Sequence, residues 1–103
     1  MKIENISVSN ININNGTATL TFDIVEVTTN VNVNLKIDDG DFIQIATNQG
    51  QGKKTYNLTS ISRGVHNLIL KISNEEEEYI SEPFLVKFKI NPTIEGLACV
   101  YSD

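Results

Sequence analysis

A stretch at positions 64–73, GVHNLILKIS, constrains the fold of this chain more than any other. Its large apolar side chains recur at every second position, as Leu68, Leu70 and Ile72, and polar side chains fall mostly between them. A period of two is that of a pleated strand with one buried and one solvated face. Because similar alternation precedes and follows it, the stretch is predicted to be a central strand of an antiparallel sheet.

The first third of the chain alternates in the same way, with one interruption. Residues 17–25 and 31–37 carry apolar side chains at every second position, so each is predicted to form a half-buried strand. In residues 2–13 the apolar positions change parity between Val8 and Ile11. A change of parity requires a bulge, and we expect this first strand to use its bulge to cross from one sheet to the other.

The rest of the chain continues as short strands and tight turns. The Asp-Gly pair at 39–40 is typical of a hairpin and leads into a strand at 42–45. Residues 47–54 are mostly polar and include two glycines, so they are expected to form an exposed loop. A short strand is expected at 56–58, and alternating aromatic and aliphatic residues predict a last strand at 84–90.

These patterns predict an all-β domain, a two-sheet antiparallel sandwich of about seven strands that spans residues 1–91. No stretch shows the sustained period of a helix. One core between the sheets is expected to contain seven large apolar residues: Leu20, Phe22, Leu35, Leu68, Leu70, Val86 and Phe88.

The pattern stops at Pro92, and residues 92–103 are interpreted as a linker or as the first strand of a following module. Apolar side chains alternate there too, and we expect them to add to a neighbouring module: Leu97, Cys99 and Tyr101. Cys99 is the single cysteine, so no internal disulfide can form and the sandwich must be held together by packing.

Composition argues against several classes of partner. The formal net charge is −5, so the field of the whole chain repels phosphate backbones and anionic membrane surfaces. No apolar run approaches the roughly 18 residues of a membrane span, and the N-terminus lacks the apolar core of a signal peptide. We therefore expect neither nucleic-acid binding nor membrane insertion.

Residues 64–88 also carry a resemblance to a known family. A Gly-x-His-x-Leu-x-Leu-x-Ile strand at 64–72 is followed by a polar turn, Ser-Glu-Pro at 81–83 and Phe-x-Val-x-Phe at 84–88. This order resembles the last two strands of bacterial immunoglobulin-like and fibronectin type III-like modules, which occur in tandem in phage tail and baseplate proteins and in cell-surface adhesins. The resemblance implies an immunoglobulin-like sandwich.

The same resemblance implies a non-catalytic function. It suggests a structural or interaction module, one domain of a multi-domain phage tail or cell-surface protein. Its partners would then be neighbouring domains of the same or another structural protein, and a host-surface glycan or protein would be a further one. Such a module would be virion-associated, extracellular or at the cell surface.

The candidate residues for catalysis are few. His66, the only histidine, shares parity with Leu68, so its ring is expected to face inward at the start of the central strand. A lone imidazole there more often hydrogen-bonds to backbone at a strand-crossing corner than ligates a metal or moves a proton. Cys99 has no base beside it, and no serine elbow motif occurs. We expect no enzymatic activity, although a Ser/His/Asp arrangement stays open.

Two acidic clusters raise the question of calcium: Asp38, Asp39 and Asp41 in one turn, and Glu75, Glu76, Glu77 and Glu78 in another. The two turns are expected at opposite poles of the sandwich, about 20 Å apart, so they cannot share one ion. Neither has the ligand spacing of a known calcium loop. We expect no specific metal site and no cofactor, with calcium at either turn as the alternative.

A carbohydrate- or receptor-binding module is the alternative function. Sandwiches of that kind present aromatic rings to sugars, and here three phenylalanines are assigned to the core. The aromatic rings left for a platform are Phe42, Tyr79 and Tyr101. Asparagines on the outer face of the predicted sheet could hydrogen-bond a polar partner: Asn32, Asn34 and Asn67.

Overall fold

Strands make up most of the structure, a computed structural model that describes residues 1–88. In chain order they are β1 (Lys2–Asn12), β2 (Thr17–Val25), β3 (Val31–Ile37), β4 (Ile43–Gln49), β5 (Gly52–Leu58), β6 (Gly64–Ser73), β7 (Glu78–Ile80) and β8 (Phe84–Phe88). The bounds of β2 and β6 match the alternating stretches that predicted them. In the described part of the chain, no helix is long and apolar enough to cross a membrane.

The strands pair into two antiparallel sheets. The three-stranded sheet has the order β1-β2-β5. In the five-stranded sheet, β6 is central, with β3 and then β4 on one side and both β7 and β8 on the other. Residues from both sheets form a single buried cluster, so the sheets pack face to face. The predicted all-β, two-sheet antiparallel sandwich, with residues 64–73 as a central strand, is confirmed.

The last strand of the sandwich is split, which makes eight strands where about seven were predicted. β7 lies against residues 71–73 of β6 and β8 lies against residues 64–68. Between them, the N–H of Ser81 donates to the Leu70 carbonyl at 2.8 Å, and the Leu70 N–H donates to Ser81 Oγ at 3.0 Å. A side chain thus replaces one backbone partner at the gap that Pro83, which lacks an N–H, helps to create.

The core matches its prediction. All seven predicted residues are buried, and none exposes more than 5% of its surface. Leu70 is fully buried on β6, and Ile61, on the connection between β5 and β6, closes the same cluster. Burial of each large aliphatic or aromatic side chain contributes about 1.5–3 kcal/mol, so this layer is what holds the two sheets together.

The exposed loop predicted at residues 47–54 is wrong, because most of that stretch is strand. β4 runs to Gln49 and β5 begins at Gly52, which leaves a turn of two residues. Both are edge strands with many polar side chains, so backbone pairing rather than apolar alternation defines them. Asn48, with φ of 56°, lies in a bulge of β4 where the register against β3 shifts.

The first strand bulges as predicted but does not cross between the sheets. β1 pairs with β2 along its length, with register shifts between Glu4 and Ser7 and between Ser9 and Asn12. Each shift contains an asparagine in the left-handed region, at φ of 54° and 52°: Asn5 and Asn10. One bulge reverses which side chains of a strand face the core, and a second bulge reverses this again. With two bulges the strand therefore stays in one sheet.

Candidate functional site

The two acidic turns lie at opposite ends of the β3–β6 pair. Ile37 pairs with Leu68 beside the aspartate turn that follows β3, whereas Asn32 pairs with Ser73 beside the glutamate turn that follows β6. Five residues of strand, about 17 Å, separate these two pairs, so the turns cannot share an ion. Within residues 1–88, no group of three His, Cys, Asp or Glu side chains is placed to hold a metal.

Asp38 belongs to a hydrogen-bonded corner. Its Oδ2 lies 2.6 Å from Nδ1 of His66, and its Oδ1 accepts the Asn67 N–H at 2.9 Å. Its own N–H donates to the Asn67 carbonyl at 2.7 Å. The hydrogen bond with His66, and next that from Asn67, lower the pKa of Asp38 below its ordinary value. Both carboxylate oxygens therefore already have partners that fix the β3–β4 turn against β6.

His66 also approaches a serine, and the three side chains together resemble a hydrolase triad. Ser62 Oγ lies 3.2 Å from His66 Nε2, while Nδ1 faces Asp38. However, Nε2 lies closer, at 2.8 Å, to the Ser62 carbonyl, which can only accept a hydrogen bond. Both ring nitrogens therefore donate, and the hydrogen bonds to Asp38 and then Ser62 raise the pKa of His66 above its ordinary value.

The hydrogen bond of His66 Nε2 with the Ser62 carbonyl limits what the corner can do. While Nε2 donates to that carbonyl, it does not present a lone pair to Ser62 Oγ, which is the contact that a general base makes with a serine nucleophile. The backbone hydrogen bond expected of His66 is present, and its side chain is 12% exposed. The corner fastens the crossing segment before β6 to the turn after β3.

At the other pole, a polar groove of about 550 Å³ separates the β2–β3 loop from the glutamate turn. Its lining is polar, with Thr29, Asn30, Asn32, Ser73, Asn74, Glu75 and Glu76. Asn74 joins its two walls: Nδ2 donates to Thr29 Oγ1 at 2.8 Å, and Oδ1 accepts the N–H groups of Glu76 and Glu77. One amide thus orders both the turn and its contact with the opposite loop.

The second wall of the polar groove is built from asparagines that bind one another. Asn30 Nδ2 donates to Asn48 Oδ1 at 2.9 Å, and the N–H of Asn48 donates to Asn32 Oδ1 at 3.3 Å. These contacts hold the bulge of β4 in its left-handed conformation. The groove lining contains two carboxylates and no cationic side chain, so it repels anions.

The outer face of the five-stranded sheet carries cationic side chains, in contrast to the acidic lining of the polar groove. We call its central part the lysine–amide face, and it consists of Asn34, Lys36, Phe42, Gln44, Asn67 and Lys71. Gln44, Asn34 and Lys71 form one row across three strands, since Asn34 pairs with both of the others. The inward neighbours of these positions on β3 and β6 are core residues, so the row points to solvent.

Two lysines converge on a single aromatic ring within this face. Lys71 Nζ lies 4.6 Å from the centroid of Phe42, and Lys36 Nζ lies 5.9 Å from it. Both distances fall within the about 6 Å range of a cation–π contact. The ion pairs among residues 1–88 are Lys2–Glu4 and His66–Asp38, so neither lysine has a carboxylate within 4.0 Å in that part of the chain.

The predicted binding residues are only partly brought together. Asn32, Asn34 and Asn67 have the predicted outward direction, but Asn32 accepts the Asn48 N–H in the polar groove. Phe42, predicted for an aromatic platform, has its ring in contact with lysine ammonium groups. Tyr79 pairs with the buried Ile72 and packs against the core, so its inclusion in an aromatic platform is wrong. Tyr101 and Cys99 lie outside the described residues.

Sequence reasoning did not identify the two lysines as candidates. Lys36 and Lys71 have the outward parity of their strands, which was the available signal. Their meeting at Phe42 depends on the pairing of β3 with β6 and on the turn before β4, which parity alone does not give.

The chain is thus an antiparallel β-sandwich with a polar groove at one pole and the lysine–amide face on its five-stranded sheet, and a comparison with solved structures agrees on the fold. No protein-family model matches the chain, and no curated protein is significantly similar to it in sequence. Among solved structures, it is similar to the crystal structure of a Br derivative of BhCBM56, a carbohydrate-binding module, with a TM-score of 0.53. Identity is 19%, and the match covers 80% of this chain and 88% of that one. A likeness at this identity concerns the fold.

Proposed function

We propose that this chain is a non-catalytic carbohydrate-binding module whose ligand lies across the lysine–amide face. The observation that carries the proposal is the hydrogen-bonding capacity left free there. Within residues 1–88, the side-chain amides of Asn34, Gln44 and Asn67 have no hydrogen-bond partner, and they lie on one sheet face beside two lysines. Each amide offers donors and an acceptor, which suits the neighbouring hydroxyl groups of a sugar.

The shape of this surface favours a chain-like ligand over a small molecule. It spans three strands at about 4.8 Å spacing without a deep cavity, so an extended oligosaccharide can lie across it. The fold shared with a structure named as a carbohydrate-binding module supports the same interpretation. The hydrogen bond of His66 Nε2 with the Ser62 carbonyl supports the proposed absence of catalysis, because it occupies the nitrogen that would act as a base for Ser62.

The test is binding to a panel of soluble and insoluble polysaccharides, measured by affinity electrophoresis and pull-down. The double variant Asn34→Ala/Asn67→Ala should lose most binding at an unchanged melting temperature. Asn57→Ala is the matched control, because Asn57 is exposed on the three-stranded sheet opposite Thr19. No binding to any polysaccharide, or equal losses in both variants, would count against the proposal.

The wider biological setting stays a prediction. Glycan binding is compatible with an extracellular or surface location, and so with the predicted adhesin-type or virion-associated context. The phage-tail and fibronectin type III-like identification rests on the resemblance alone, which covers roughly residues 1–90 with its motifs at 64–88, and so does the prediction of neighbouring domains as partners.

A further inference from the structure

We infer that the polysaccharide bound by the lysine–amide face is acidic, with uronic-acid carboxylates or sulfate esters that pair with Lys36 and Lys71. This inference rests on the proposed function and names its ligand class. Its starting point is that two ammonium groups from different strands meet over one ring, at 4.6 and 5.9 Å, with no carboxylate within 4.0 Å among residues 1–88.

The ring of Phe42 places these charges without neutralising them. A cation–π contact orients an ammonium group over the ring but leaves its other N–H donors free for an anion. Because the ring restricts both lysine side chains before binding, less rotamer entropy is lost when an anion pairs with them. Phe42 is therefore a positioning residue, and the lysines would make the contact.

The register places hydroxyl-binding groups beside the cations. Asn34 pairs directly with Lys71, and Gln44 lies on the far side of Asn34 in the same row. An acidic sugar with its carboxylate on Lys71 would thus present ring hydroxyls to two free amides, each about one strand spacing of 4.8 Å further on. Charge and hydroxyl recognition are combined within one row.

Two acidic side chains oppose this attraction at close range. Glu78 lies on β7 opposite Ser73, two residues along β6 from Lys71 and on the same face, and Asp39 lines the same depression of about 360 Å³ as Lys36. Asp38 is committed to His66 and Asn67. Neither lysine has a carboxylate within 4.0 Å among residues 1–88, so both ammonium groups keep donors for a ligand anion.

The test compares polymers that differ only in charge. Titration calorimetry with polygalacturonate should show binding that weakens with salt, whereas its fully methyl-esterified form should bind at least about tenfold more weakly. Lys36→Gln/Lys71→Gln should lower affinity for polygalacturonate about tenfold or more, and Asp39→Asn should raise it. Lys53→Gln, an exposed lysine of the three-stranded sheet, is the matched control and should leave affinity unchanged.

The possible outcomes distinguish a failure of this inference from a failure of the proposed function. If the esterified polymer or neutral dextran binds as well as polygalacturonate, the ligand class is wrong while carbohydrate binding stands. If no polysaccharide binds, both fail. Dextran sulfate tested against dextran tells whether sulfate replaces carboxylate. Poly-L-glutamate binding as tight as polygalacturonate would mean that the face recognises acidic protein, which would overturn the inference.

Discussion

The polar groove and the lysine–amide face are both rich in asparagine, yet they use it in opposite ways. In the groove, Asn30, Asn32, Asn48 and Asn74 hydrogen-bond one another and the adjoining backbone and loops. On the face, the amides of Asn34 and Asn67 have no partner within residues 1–88. Counting polar side chains would favour the groove as the binding site. Counting unused donors and acceptors favours the face, because a satisfied amide has less to offer a ligand.

The largest expected effect tests whether the stability of β6, which contributes to both surfaces, comes from its buried side chains alone. Leu70→Ala should lower the free energy of unfolding by about 2–5 kcal/mol, because it opens a cavity at a fully buried position. Lys71→Ala, next to it on the outer face, should change it by no more than about 0.5 kcal/mol. Urea denaturation measures both. Equal losses would show that the contact of Lys71 with Phe42 holds the fold instead of serving a ligand.

A smaller effect distinguishes the structural asparagines from the binding ones. Asn74→Ala removes three hydrogen bonds that join the glutamate turn to the β2–β3 loop, so it should cost about 1–2 kcal/mol. Polysaccharide affinity should stay the same, and amide exchange should accelerate at residues 75–77. Asn34→Ala should do the reverse, weakening binding at unchanged stability. The comparison fails if Asn34→Ala destabilises the fold as much as Asn74→Ala does.

The smallest effect concerns the corner at Asp38 and His66, which is partly solvated. The pKa of His66 is raised above its ordinary 6.5, so its contribution to stability is complete below pH 6.5 and is lost as pH rises through the folded value. The pKa of Asp38 is lowered below its ordinary 3.8, so its contribution is complete above pH 3.8 and is lost as pH falls through the folded value. The corner should therefore stabilise the fold most between pH 3.8 and 6.5.

Melting temperatures measured from pH 3 to 9 check this window. His66→Gln should remove the fall in stability above pH 6.5 and reduce the loss at acid pH, because the hydrogen bond with His66 is the largest cause of the lowered pKa of Asp38. Polysaccharide binding by His66→Gln should match that of the unmodified chain, because the corner does not belong to the lysine–amide face. A pH profile unchanged by the substitution would mean that His66 is not charged in the folded protein.

Sequence patterns predicted what depends on alternation and missed what depends on register. β2 and β6 have the predicted bounds because each buries one face along its whole length. β4 and β5 were missed as strands over residues 47–54, since edge strands with polar side chains need only backbone partners. Tyr79 lies on a strand of three residues, too short to show parity, and its inward direction follows only from its pairing with Ile72.

The candidate site shows the same limit. The outward direction of Asn34 and Asn67 was predictable from parity, because their neighbours in sequence are core residues. The meeting of Lys36 and Lys71 at Phe42 was not, since it joins positions that are 35 residues apart on strands paired by a long-range register. The hydrogen bond between Asp38 and His66, which are 28 positions apart in sequence, is of the same kind.

The two bulges of β1 have a further consequence for the proposed binding to a polymer. β1 is an edge of the three-stranded sheet, and an edge offers a row of free N–H and C=O groups to any other strand. The left-handed turns at Asn5 and Asn10 interrupt that row twice within one strand. Many copies crowded along one polysaccharide chain would therefore be protected from edge-to-edge aggregation.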